Sequence, residues 1–230
     1  MSRTHPRKFS RSETTRAEAF SDGVFAIAVT LLVLNLSDPP HKPGDLGHVL
    51  LAQWPAYLGY LASFGYVSVI WLNHHQAFVR IRTMDRGLHA ANLFLLLTTA
   101  ALSFPTAVVA DALQTDLTNS DARVAVALYA GLAAAMCLSW VAFYQQVDRR
   151  PELLNPDVED TYVRHGQLRS WAGALAYTVA GVLGVFIAPL LAIAVFVILP
   201  VFYFVTSEGL PGGRNGSVGS TMGLRKESDT

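Results

Sequence analysis

Cysteine is nearly missing from this chain. The one residue of that type, Cys137, lies inside an apolar run, so there is no disulfide framework and no thiolate metal site, and the residue reads as helix packing. Charge is scarce as well: 15% of the 230 residues are Asp, Glu, Lys or Arg, and they sum to zero. Nothing in that balance suggests a nucleic-acid partner. The opening stretch MSRTHPRKFSRSETTR lacks an apolar core followed by a small-residue cleavage site. It reads as a basic tail rather than a secretory signal peptide.

What the chain has in excess is apolar surface. With 52% hydrophobic residues and a mean hydropathy of +0.35, it carries more than one soluble core of this size would bury, which makes it an integral membrane protein. Six apolar runs follow one another: Ala17–Leu36, Val49–Trp71, Leu88–Ala110, Ala122–Val147, Leu168–Ala188 and Pro189–Val205. Each approaches the ~20 residues that a helix needs to cross a bilayer core. The last two meet at Pro189, because together they are too long for one crossing. Hydrocarbon offers no partner to free backbone groups and the runs are too continuous for barrel strands, so the expected fold is all-α.

Orientation follows from the basic residues. With both termini cytoplasmic, fifteen of the seventeen Lys and Arg fall on the cytoplasmic side and only Lys42 and Arg123 outside, as the positive-inside rule requires. The expected organisation is a basic cytoplasmic tail over 1–16, a six-helix transmembrane domain over 17–205, and a Gly/Ser-rich, disordered cytoplasmic tail over 206–230.

The first run, RAEAFSDGVFAIAVTLLVLNL, contains a carboxylate, Asp22, that is costly to bury. At 100° per residue Phe20, Gly23, Ile27, Leu31 and Leu34 form one stripe with Thr30 on its edge, and Asp22 falls about 140° from Ile27. Asp22 therefore faces away from the stripe, toward other helices. WLNHHQ ends the second run and GLHAAN begins the third. Asp22, Asn73, His74, His75, His89 and Asn92 thus share one depth near the cytoplasmic face, where a carboxylate beside imidazoles would be satisfied and would orient the first helix. The alternative is that His74 or His75 snorkels to the headgroups. A metal site lacks support, since no i,i+4 His pair and no second carboxylate accompany the cluster.

Arg16, Phe20, Ser21 and Asp22 spell R-x-x-x-F-S-D and continue into GVFAIAVTLLVL. That stretch closely resembles the prokaryotic members of the transmembrane protein 175 potassium channel family. W-L-N-H-H in the second run and S-F-P-T at 103–106 extend the likeness. The resemblance implies a potassium-selective channel in the plasma membrane, a homotetramer with a central pore lined by the first helix. Its pore positions are the fifth, ninth and twelfth after the motif aspartate, here Ile27, Leu31 and Leu34, on the stripe already picked out by periodicity. It also implies a hydrogen-bond network around Arg16, Ser21 and Asp22 that involves Trp71, Asn73 and His74. The partners implied are further copies of the chain, the bilayer and potassium ions, with no cofactor and no bound metal beyond the permeant ion.

No TVGYG filter occurs, and rings of Ile or Leu would constrict a path by size and close it by dewetting. Thr30 is the side chain near the stripe that could help coordinate a cation, unless its hydroxyl bonds back to its own helix; Asn35 could add a polar ring at the outer end. An enzyme would need a nucleophile beside the Asp22 and His cluster, and none is evident. The alternative function is a cation or proton-coupled transporter, or a proton leak through His74 or His75. The midplanes, however, carry Thr98, Thr99, Ser103 and Pro105 and no charge.

Overall fold

The computed structural model describes residues 11–36, 40–115 and 119–205. Residues 1–10 and the expected C-terminal tail at 206–230 lie outside the described residues. Helices account for nearly everything described: α1 (Arg11–Leu31), α2 (Leu46–Ala52), α3 (Trp54–Arg80), α4 (Arg86–Ala101), α5 (Ser103–Thr115), α6 (Ser120–Arg149), α7 (Asp160–Phe186) and α8 (Pro189–Val205). A 3-10 turn, Leu32–Asn35, tightens the end of α1.

Among the described residues, four stretches are long and apolar enough to span a bilayer: Thr14–Asn35, Arg86–Leu113 (α4 running into α5), Ser120–Arg149 and Thr161–Phe186. A fifth arises if α2 and the rest of α3 are one span, bent by 48° beside Pro55. The sixth expected run, α8, is a shorter apolar helix, separated from α7 by Ile187 and Ala188 ahead of Pro189. Hydropathy misplaced two helix ends. WLNHHQ lies inside α3, which continues to Arg80, because polar residues keep a helix going after its apolar stretch has stopped. α1 likewise starts at Arg11, ahead of the apolar run.

The core forms where α6 and α7 pack, and small residues explain how closely they approach. A Cβ on Gly181 would stand 2.6 Å from Cβ of Ala130, and one on Gly166 would enter the ring of Tyr144. At one end of the bundle two loops are stapled. Arg82 N–H donates to the carbonyl of Leu153 (2.7 Å), Asn155 N–H to that of Arg80 (2.9 Å), and the Asn155 amide to Val79 (3.0 Å). Asp85 caps α4 there, accepting from Leu88 N–H at 2.8 Å and from the Gln146 side chain at 2.9 Å, with Arg150 at 3.5 Å.

Candidate functional site

α1 lies across α3 and α4 and has two unlike faces. Ser21, Phe25, Ala28 and Leu32 are buried against the bundle. Phe20, Ile27, Leu31 and Leu34 are bare, 57%, 60%, 50% and 74% exposed. These are the stripe residues, and Gly23 and Thr30 are exposed with them. Only 22% of the apolar window of α1 is buried, against 39–56% for the other three unbroken spans.

Beneath the inner face runs a directional hydrogen-bond chain. His74 Nε2 donates to Asn92 Oδ1 (2.9 Å), Asn92 Nδ2 donates to Ser21 Oγ (3.0 Å), and Ser21 Oγ donates to the Ala17 carbonyl (2.8 Å). Three helices are thereby joined through fully buried groups. The imidazole is held edge-on by Phe25, centroids 5.1 Å apart, and stacked on Phe78 at 4.3 Å. Its Nδ1 has no hydrogen-bond partner among the described residues.

Asp22 takes a different partner from the imidazoles expected beside it. Trp71 Nε1 donates to Asp22 Oδ1 at 2.9 Å, and His75, stacked on Trp71, lies 3.4 Å from Glu18 instead. The helical period accounts for this. Trp71 and His75 are one turn apart on α3, as Glu18 and Asp22 are on α1, so the two pairs meet along one seam while His74 turns inward.

The other expected members of the network lie apart from it. Asn73 donates to the Val69 carbonyl of its own helix at 2.8 Å. Arg16 and Phe20 are exposed. Thr30 Oγ1 bonds back to the carbonyls of Ala26 (3.0 Å) and Ile27 (2.9 Å), the alternative to cation coordination, and its one proton is used within its own helix. Asn35 donates to the Ser103 carbonyl at 3.4 Å. Asn92 is the centre of the polar chain. Its position on the third run at the depth of Ser21 and His74 was the available signal.

A helical bundle with several membrane-length apolar helices, one of them half bare and pinned from behind by buried polar groups, defines a multi-pass membrane protein. Comparison with known proteins gives the particular family. Residues 16–102 match the family described as endosomal/lysosomal potassium channel TMEM175. A potassium channel of Streptomyces collinus is 39% identical over 201 residues, covering 87% of this chain and 96% of that one. A potassium channel of Chamaesiphon minutus is 36% identical over 201 residues, 86% of this chain and 97% of its own. The crystal structure of a lysosomal potassium-selective channel TMEM175 homologue from the same organism superposes with a TM-score of 0.72 at 35% identity, over 86% of this chain and 99% of that one. The chain belongs to the TMEM175 family. That is a family of ion channels and not of enzymes.

Proposed function

We propose that this protein is a potassium channel of the plasma membrane, passive and without cofactor, whose pore is lined by α1 from four copies of the chain. The observation that carries the reading is the bare stripe Phe20–Ile27–Leu31–Leu34 on a helix fixed from behind. One helix cannot enclose a path, so such a face closes a pore only in a cyclic assembly. The relatives named above supply the ion: both are named potassium channels. In this reading α1, α2 with α3, α4 with α5, α6, α7 and α8 make six spans, with both termini on the arginine-rich cytoplasmic side.

Ile27, Leu31 and Leu34 provide no oxygen ligands. Their rings act as constrictions that close by dewetting, and Thr30, exposed on the same face, meets the ion through the lone pairs that its bonds to the Ala26 and Ile27 carbonyls leave. The polar chain through Ser21, Asn92 and His74 holds α1 at a fixed rotation, and the Asp22–Trp71 bond holds its seam with α3.

Proton permeation is the second reading, with one finding behind it. A human protein named endosomal/lysosomal proton channel TMEM175 is 40% identical over 86 residues, 34% of this chain and 17% of its own length.

The test is ion flux into liposomes holding the purified protein, under potassium, sodium and proton gradients, with Leu31→Asn in parallel. Potassium-preferring flux that changes with Leu31→Asn is the expected result. Flux that ignores the substitution removes α1 from the pore, and flux of protons alone replaces potassium as the permeant ion.

A further inference from the structure

Outside the α1 face, the arginine-rich end of the bundle holds a crevice between α3, α6 and α7. A cavity of about 200 Å³ is lined there by Asn73, Gln76, Tyr144, Tyr162, His165 and Arg169. None of its lining residues is acidic. A second cation stands one ring away, with the Arg80 guanidinium 4.6 Å over the centre of Tyr162. Arg169 is itself placed, its guanidinium 5.6 Å over the ring of Tyr203 and its carbonyl accepting from that hydroxyl at 2.9 Å. Gly166 makes the opening possible, since any side chain there would collide with Tyr144.

The depth of the crevice decides what it meets. Gln76 is one turn from the end of α3 at Arg80, and Arg169 lies under three turns from the start of α7 at Asp160. That is the level of the headgroups, and helix ends carrying arginine there face phosphates. Inward, a smaller cavity of about 60 Å³ shares Asn73, Tyr144, Gly166 and Arg169 and continues along Val69, Ile70, Met136 and Trp140. The crevice is thus basic and hydrogen-bonding at its mouth and apolar at its floor.

We propose that this crevice binds the phosphate-bearing headgroup of an anionic membrane lipid. Arg169 and His165 meet the phosphate, and Gln76, Asn73 and Tyr162 present hydrogen-bonding groups to the rest of the headgroup. A freely dissolved phosphate shares the charge but has no use for the apolar floor. The site is independent of which ion the protein conducts.

Native mass spectrometry of the full chain in detergent tests this with phosphatidylglycerol, phosphatidylcholine and inorganic phosphate as probes. The expected result is retention of phosphatidylglycerol over phosphatidylcholine by about fivefold, the weight of roughly one arginine against an anionic headgroup. Arg169→Gln abolishes that preference, and Arg164→Gln, an exposed neighbour outside the crevice, preserves it. Equal retention of the two lipids by the unaltered protein overturns the proposal without reference to any variant. Equal losses in both variants overturn it too, by showing diffuse attraction, and displacement of the lipid by an equal concentration of inorganic phosphate assigns the crevice to a soluble anion instead.

Discussion

The indole N–H of Trp71 points at the carboxylate of Asp22, 2.9 Å away, and joins α3 to the helix that leaves its other face bare. A carboxylate in a membrane helix is tolerable when it accepts such a bond.

Trp71→Phe keeps an aromatic ring, though a smaller one, and removes the donor. It should cost about 1–2 kcal/mol, as should Asp22→Ala, and the double variant should cost less than their sum because both cut the same bond. Thermal unfolding in detergent measures all three. Additive losses would mean that the two residues act separately.

Asn92→Ala cuts two links at once, leaving both His74 Nε2 and Ser21 Oγ without their buried partner. At about 0.6–1.7 kcal/mol for each interhelical bond in a membrane, the expected loss is roughly 1–3 kcal/mol. Ser21→Ala should lose less, since it breaks one interhelical link. A midpoint for Asn92→Ala no lower than that of Ser21→Ala contradicts the chain as described.

Asp85→Ala removes the cap of α4 together with the partner of Gln146 and Arg150. A cap contributes about 1 kcal/mol and the side-chain bonds about as much again. Proteolysis of the 81–85 loop should quicken in the variant, and an unchanged cleavage rate would show that the cap does not order the loop.

Gly181→Ala drives one Cβ against another at 2.6 Å, with no flexible side-chain end to yield, whereas Gly131→Ala meets nothing within 4 Å. The first should destabilise by about 1–3 kcal/mol and the second should be neutral or mildly stabilising. Paired melting curves decide it.

Thr30→Val preserves shape and deletes the oxygen. Potassium flux in liposomes should fall, and its preference over sodium with it, if the remaining lone pairs of that hydroxyl touch the ion. Unaltered flux returns that hydroxyl to its bonds with Ala26 and Ile27.

Hydropathy made the helices legible because bilayer thickness and the 3.6-residue period leave few choices, and it placed the break at Pro189. It failed where helix and membrane end at different residues, as at Trp71 and Arg80, since propensity continues past the apolar stretch. The stripe of α1 was legible by angle alone. The partner of Asp22 was not legible from depth: depth set His74 and His75 beside it, Trp71 entered only through the family resemblance, and the rotation of α3 about its axis brings Trp71 to the carboxylate. Asp85 carried an unread signal, an aspartate three residues before the apolar run at Leu88, which is the spacing of an N-cap.

The staple between the two loops joins Asn155 to Val79, 76 positions earlier in the chain. Ribosomes add about 5–20 residues per second, so α3 and α4 wait roughly 4–15 s for the segment that locks them. During that interval the carbonyls of Val79 and Arg80 have only water to bond, which requires this turn to stay at the aqueous surface from the moment it emerges. The order of synthesis therefore favours closing this end of the bundle only after α6 is in place.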